Sequence, residues 1–589
     1  MATASMALPK TKGGAFLLES RVPEEIYTPE DFTDEHLDVA RTADEFWLKE
    51  ILPNVEKIQH QEAGVAQAVL RKSAELGLTA VLLPEQYGGM ELDLTSMMIV
   101  AERLSRDGSY SAWHGAHTGI GTLPLLFYGT PEQKERYLPR LAKAELIAAY
   151  CLSEPQAGSD ALAIKTRADL TEDGKHYILN GQKMWITNGG HADLYTIFAK
   201  VGGEKFTAFL VERAFPGVKP GAEEKKMGIK GSSTTPIYLD NVKVPVENVL
   251  GEVGKGHHIA FNILNMGRFK LGPFATGGAK GVLQTCLKYA KERKAFGQSI
   301  AGFGMIQHKL AEMAIRIYAV ETMSYRVVGM IQAALGDFSW QMPDASQRML
   351  KAVEEFAMEC SYMKVYGSEM LDYVVDEGVQ IHGGYGYHQD YAVERAYRDS
   401  RINRIFEGTN EINRMLSTGM LLKRAQKGML PLVEAVKKVQ AEVLAGPALG
   451  ATIDDAAMVA NAKKIALLCL GVAYQTYLNE LDQQQEILAG ITDIGMSVFA
   501  MESVYLRTKK LEAMGKGALA ADMKAVFLPE AMETIEKAAR YVLSASSSGD
   551  ALRTNLAVLR RFTKHELPNS VALRRKIATR LLEAERFLV

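Results

Sequence analysis

The sequence predicts a mainly α protein with one β-domain set in its middle, on three observations. Apolar residues recur at helical spacing to about residue 145, short β-like runs separated by turns fill 147–255, and long helical patterns return after Gly256.

The first 27 residues carry Lys10, Lys12 and a small apolar patch, Ala15 to Leu18, but neither a signal-peptide core nor the Arg-rich character of a transit peptide. They read as a disordered or strapping tail, and a bacterial cytoplasm is preferred to a mitochondrial matrix. In residues 28–146, Val65, Val69 and Leu76 fall on one helical face, and Leu78, Val81 and Leu82 extend an apolar surface to the turn at Tyr87-Gly88-Gly89. Residues 147–255 hold β-like runs at Tyr177-Leu179, Leu194-Phe198, Phe206-Val211 and Ile237-Leu239, with turns such as Glu172-Asp173-Gly174. Residues 256–427 return to long helices, notably Gly281 to Arg293 and Gln307 to Leu335, as in a helical bundle. Residues 428–589 form a further helical extension that begins near the small-residue linker Ala445-Gly446-Pro447-Ala448-Leu449-Gly450.

Composition removes several classes. The 68 basic and 70 acidic side chains leave a net charge of -2, which gives no electrostatic ground for nucleic acid as a partner. Cys151, Cys286, Cys360 and Cys469 lie far apart without a C-x-x-C pair, against a zinc site or a disulfide framework. The longest apolar run, Ile465 to Tyr474, is about half of the roughly 20 residues a membrane span needs. Arg574-Arg575-Lys576 and Arg580 offer at most weak peripheral contact with an acidic membrane. His114 and His117 lack further ligands at metal spacing, so no metal site is expected.

The chemistry points to Arg404-Ile412, RIFEGTNEI. Alone, this segment reads as a helix start, with Glu407 beside the capping residues Thr409 and Asn410. Held in a dry cleft, the same carboxylate has a raised pKa and becomes a base able to remove a carbon-bound proton. Four other segments accompany it in order: Tyr150-Asp160 (YCLSEPQAGSD), Asn180-Gly190 (NGQKMWITNGG), Arg293-Gln298 (RKAFGQ) and Val379-Tyr387 (VQIHGGYGY). Over roughly residues 30–425 the ordered set resembles the flavin-dependent acyl-CoA dehydrogenases, closest in length to the very-long-chain type with a C-terminal extension.

That resemblance implies a helical N-domain, a β-barrel-like middle domain and a C-terminal four-helix bundle, with FAD as cofactor. It implies FAD contacts from Tyr150, Cys151, Leu152, Ser153, Gly158 and Ser159, from the triplet Trp185, Ile186 and Thr187, and from Thr409, Asn410 and Glu411. Arg293 is set to pair with the pyrophosphate and Phe296 to pack beside adenine, while Gln380, Gly383 and Gly384 receive the dinucleotide of a neighbouring subunit, which implies a homodimer or larger assembly. Ser159, Asn265, Arg268, Phe406 and Gly408 are implied in binding acyl-CoA, with Asn265 standing where many relatives carry aspartate. Ala112 and Ala116, four apart, fall where shorter-chain relatives place bulky side chains, and so predict a deep pocket for long acyl chains.

Desaturating a thioester requires a base for the α proton, stabilisation of the developing oxyanion, and an acceptor for the β hydride that no side chain can supply. The sequence has neither a Rossmann G-x-G-x-x-G after a strand nor a Walker A loop, which leaves a flavin bound by another fold. The implied reaction converts acyl-CoA to trans-2-enoyl-CoA, the first step of fatty-acid β-oxidation, with Glu407 as base and an electron-transfer flavoprotein as electron acceptor. A flavin-dependent oxidase using oxygen, and a non-catalytic assembly protein of the same fold, stay open at this point. Glu411 and Asp399 are the acids nearest to Glu407 in sequence and compete with it for the role of base.

Overall fold

The computed structural model describes residues 8–445 and 453–589; the expected linker from Gly446 to Gly450 lies outside the described residues. An N-terminal layer contains α1 (Asp34–Phe46), α2 (Val65–Glu75), α3 (Leu94–Leu104), α4 (Gly108–Ala116) and α5 (Pro131–Ala142). Four of these helices start where a side-chain oxygen satisfies a free amide: Thr33 accepts from His36, Asp93 from Ser96, Asp107 from Tyr110 and Thr130 from Gln133. Helix α2 stops earlier than its apolar spacing suggests. Gly77 takes φ 74° just past its end, so Leu76 turns outward instead of joining Val69 in the core.

The middle domain is an eight-stranded sheet of β1 (Ala148–Cys151), β2 (Arg167–Leu170), β3 (His176–Thr187), β4 (Leu194–Val201), β5 (Lys205–Glu212), β6 (Val218–Pro220), β7 (Thr234–Pro245) and β8 (Val249–Leu250). Its order is β6-β7-β3-β2-β4-β5-β8, with β1 added parallel to β4. The long β3 loses register against β7 twice, once between Leu179 and Gly181 and once between Lys183 and Ile186. The second irregularity sits at Trp185, and such breaks re-aim side chains.

The bundle comprises α6 (Gly256–Glu292), α7 (Gly304–Leu335), α8 (Ala357–His382) and α9 (Asn410–Gln426). Helix α6 starts well before the periodic stretch from Gly281, because its first half is buried against the N-terminal layer and so is apolar on more than one face. The extension adds α10 (Asp455–Tyr477), α11 (Gln485–Ala513), α12 (Ala518–Ser546) and α13 (Ser570–Ala584). Two segments, Asp455–Gln483 and Gln485–Ala513, are long and apolar enough to cross a membrane by length and composition, which corrects the reading that none approaches this. Their most apolar windows are 67% and 83% buried against other helices of the chain, which accounts for the apolarity by packing alone.

The tail beyond residue 8 straps bundle to extension. Phe16 meets Tyr362 and Phe499 edge-on, at 6.1 and 5.0 Å between ring centres, and Gly14 N donates to Glu359 Oε1 at 2.7 Å. Arg574 is likewise internal, its Nε 2.7 Å from Glu312 Oε1 with Glu530 as a second partner. Lys576 pairs with Asp522. Within the basic cluster on α13, Arg574 is therefore spent on joining helices, while Arg575, Lys576 and Arg580 stay exposed.

Candidate active site

Glu407 closes the loop between helix Ala392–Ser400 and α9, in a backbone conformation that side chains rarely adopt: φ is 58° at Glu407 and 78° at Gly408. Three side chains hold this turn. Arg268 Nε donates to Glu407 O at 3.0 Å, Asn413 Nδ2 donates to Gly408 O at 2.9 Å and Thr409 O at 3.0 Å, and the Thr409 hydroxyl caps α9 at Ile412 N. A side chain at Gly408 would also press on Asn413 Nδ2 and Arg268 Nη2 at 3.2 and 3.3 Å. The capping reading and the base reading are thus compatible, since Thr409 supplies the cap and leaves Glu407 free.

The carboxylate of Glu407 lies directly over the Cα of Gly267 on α6. A Cβ at Gly267 would fall 2.6 Å from Oε2 and 2.8 Å from Cδ, so this close approach requires glycine. Oε2 is buried without a hydrogen-bond partner, while the rest of the side chain faces the cavity. Burial pushes the Glu407 carboxyl up to about 7, against the pull of Arg268, Lys364 and Lys270. The competing acids are placed differently. Glu411 is an exposed first-turn acid of α9 with its carboxyl held below the usual range by helix amides. Asp399, although also pushed up to about 7 by burial and the nearby Asp107, is engaged by Ile229 N and packs on Gly108.

The cavity beneath Glu407 has a volume of 530 Å³ and runs between α3, α4 and α6. Phe406, Ala112 and Ala116 all line it, with Thr187 at the β-domain end. His114 and His117 bond to backbone groups, His114 at Leu78 O and His117 at Leu141 O and Ala148 N. Burial lowers them to about 3 and about 4, so both rings are neutral. Among the described residues no cluster of three metal-ligating side chains occurs.

Two aromatic residues of the expected cofactor site are displayed outward on strained backbone. Trp185 is 59% exposed at φ 58°, and Phe296 is 96% exposed at φ 50°. Phe296 and Gly297, φ 81°, form the two-residue turn of a hairpin between Lys294–Ala295 and Gln298–Ser299. Large aromatic surfaces left in water by strained residues fit a flat ligand, and Gly158, Gly383 and Gly384 leave open space where a Cβ would stand. Arg293 lies over the Tyr385 ring at 5.2 Å in a second cavity of 690 Å³ that Gly383 and Gly384 also line. Within one chain that cavity is separate from the one beneath Glu407.

Several implied contacts take another form. Tyr150, Cys151 and Leu152 are buried in the sheet, with Tyr150 Oη donating to Ala260 O at 3.3 Å, so their side chains face the core. Ile186 is buried too, because alternation along β3 sends it opposite to Trp185. Asn410 is occupied by Lys364, Ser368 and Glu369. Gln380, Ser153 and Ser159 keep some solvent exposure. Arg268 and Asn265 are buried and bonded to one another, Nη1 to Oδ1 at 3.1 Å, and Arg268 also holds the Glu407 loop through Glu407 O.

Sequence reasoning missed Gly267, whose role depends on a residue 140 positions away, and the pair Lys183 and Glu154. Lys183 is fully buried on β3, with Nζ 2.7 Å from Glu154 Oε1, and Glu154 also accepts from Lys165 N and Thr166 N. This pair fixes the loop Ser153–Ser159 to the strand that carries Trp185. A lysine inside an apolar strand was the signal available.

The arrangement is a buried carboxylate of raised pKa over a deep apolar cavity, flanked by a β-domain that leaves aromatic surface exposed. Family models described as the N-terminal, middle and C-terminal domains of acyl-CoA dehydrogenase match residues 33–145, 149–242 and 254–421, and a further C-terminal domain model matches 461–561. A probable acyl-CoA dehydrogenase of Bacillus subtilis (strain 168) is 48% identical over 586 residues, 98% of each protein. The very long-chain specific mitochondrial acyl-CoA dehydrogenase of Rattus norvegicus is 44% identical over 361 residues, 60% of this chain but only 52% of that protein. The crystal structure of acyl-CoA dehydrogenase complexed with FAD from Bacillus anthracis superposes with TM-score 0.96 at 46% identity, covering 98% of this chain and all of that one. This chain belongs to the acyl-CoA dehydrogenase family.

Proposed function

We propose that this chain is an FAD-dependent enzyme that desaturates a long-chain acyl-CoA between its α and β carbons, with Glu407 as the base. The observation that carries this is the Glu407 carboxylate itself: strained, unpaired at Oε2 and facing the cavity. A carboxylate near pKa 7 balances basicity against the fraction ionised at neutral pH, which suits removal of an α proton.

Trp185, Thr187 and the loop Ser153–Ser159 would hold the flavin ring, and Arg293, Phe296, Gly383 and Gly384 the dinucleotide end. When bound, FAD supplies the acceptor for the β hydride. The chain's own groups do the rest: the apolar walls exclude water, Ala112 and Ala116 leave room for the acyl chain, and Glu407 Oε takes the α proton. Because the two cavities lie apart within one chain, a homodimer that brings one against the other is part of this reading. Transfer of the electrons to an electron-transfer flavoprotein, and a bacterial cytoplasmic location, complete it. Purified protein should bleach its flavin absorbance on addition of palmitoyl-CoA without oxygen. Glu407→Gln should keep the flavin and lose the bleaching; normal bleaching by that variant would assign the base elsewhere.

A further inference from the structure

Three cations act on Glu407, and only one of them opens onto the cavity. Arg268 is committed to Glu407 O and Asn265. Lys364, on α8 behind the loop, is committed to Asn410 Oδ1 at 2.6 Å. Lys270 stands on α6 one helical turn beyond Gly267, the residue on which the carboxylate rests, so the two side chains share a face. It lines the same cavity as Glu407 and Ala116.

Its ammonium has little else to do. Nζ approaches Thr118 Oγ1 at 3.5 Å, the outer limit of a hydrogen bond, and lies 3.5 Å from where a Cβ of Gly119 would stand. Among the described residues no carboxylate comes within 4.0 Å of it. An ammonium buried without an ion partner is costly, and it lowers Lys270 to about 8, with Glu407 as the opposing influence. The other titratable groups around the pair do not replace it. Tyr150 of β1 is held protonated by burial and by Glu407, His114 of α4 is neutral, and Asp107, Asp399 and Arg395 also line this cavity but bond among themselves and to Ile229 N.

We propose that Lys270 is a positioning residue for the base: its ammonium, lining the same cavity as the unpaired Glu407 carboxylate, holds that carboxylate ionised and turned toward the acyl chain. The reason is dielectric. Substrate entry displaces cavity water, which on its own drives Glu407 toward its neutral, inactive form, while the same drying strengthens the attraction between the two charges. Lys270 thereby offsets the desolvation that substrate binding imposes. A neutral side chain at 270 would leave the acyl pocket intact and the base protonated at neutral pH.

This inference rests on Glu407 being the base, and the test separates the two. Holoenzyme and the variants Lys270→Met, Lys270→Gln and Lys270→Arg are compared in single-turnover flavin bleaching by palmitoyl-CoA from pH 5.5 to 10. The Glu407 carboxyl band is titrated in parallel by infrared difference against Glu407→Gln. Met and Gln should move the acid limb of the rate and the infrared midpoint upward together by about one pH unit, a tenfold loss on the acid side, with rates converging toward pH 10. Arg should restore both. Two neutral variants guard against one that folds poorly, and melting temperature reports that directly. The inference is overturned if midpoint and limb stay put in a folded neutral variant, or if all three variants lose rate by one factor at every pH. Persistent bleaching by Glu407→Gln would instead remove the base assignment beneath it.

Discussion

The Glu407 loop and the junction between bundle and extension both bury charge, and they treat it in opposite ways. At the junction the charges around Arg507, Lys280 and Arg326 are matched. Arg507 reaches Glu30 at 2.7 Å and Glu321 at 2.6 Å, Lys280 joins Glu321 to Glu102, and Arg326 meets Glu502 at 2.6 Å with Lys463 as its second partner. The matching shows in the titration: Lys280 and Arg507 hold the Glu321 carboxyl down to about 2 despite burial. At the Glu407 loop burial wins, the carboxyl rises to about 7, and Oε2 has no partner. Satisfied charges fasten one helical layer to another, whereas the unsatisfied one retains affinity for a proton.

The largest expected effect breaks the unsatisfied side. Glu407→Gln should cost about 10²- to 10⁴-fold in turnover. Its stability should change with opposite sign. A carboxyl whose pKa is raised on folding contributes stability below its ordinary value near 4.5 and loses it as pH rises through about 7. The variant should therefore be more stable than the parent at pH 8, by on the order of 1 kcal/mol since cavity water reaches the group, and no more stable at pH 4. Urea unfolding at both pH values measures this; a variant destabilised at pH 8 would mean that the carboxylate is paired after all.

Arg507→Met should break the satisfied side. It leaves Glu30 and Glu321 buried without their cation and should cost about 3–5 kcal/mol in denaturant unfolding. The depressed Glu321 carboxyl also gives the sign of the acid response: its contribution is present above about 4.5 and is lost as pH falls through about 2, so the parent should lose stability faster than Arg507→Met across that window. A loss below 1 kcal/mol would show that the strap and the extension are not joined through this network.

Gly267→Ala sharpens the comparison at lower cost. The added methyl meets the carboxylate 2.6 Å away, and the Glu407 side chain must swing aside, so turnover should fall about tenfold with little change in melting temperature. Unchanged turnover would show that the carboxylate works from another position. The smallest effect concerns the acyl pocket. Ala112→Gln and Ala116→Gln each place a polar side chain in the cavity and should shift preference toward shorter acyl chains by several-fold in kcat/KM, with short-chain rates unaffected. An unchanged chain-length profile would detach these alanines from specificity.

Much of this molecule was legible as periodicity and order. The change from helical to strand pattern and back located the middle sheet, because side-chain period follows directly from backbone geometry. Glu407, Trp185 and Phe296 stood out as motif residues, and each proved to sit on positive φ, a feature no propensity announces for a glutamate or an aromatic. Leu76 was misread since its spacing continued the helix while Gly77 ended it. Arg574 looked like surface charge for want of any local sign that Glu312 lay opposite.

The sequence by itself determined the chain of elements, the family likeness and the motif that singles out Glu407, all of which depend on residues near in sequence or on their order. Only the tertiary structure decided that Glu407 rests on Gly267, that Arg268 serves the loop, that Lys183 and Glu154 anchor the hydroxyl loop, and that Lys270 shares the cavity with the base. The physical reason is that burial and charge pairing are properties of neighbours in space, and those neighbours come from separate helices and strands that only packing brings together.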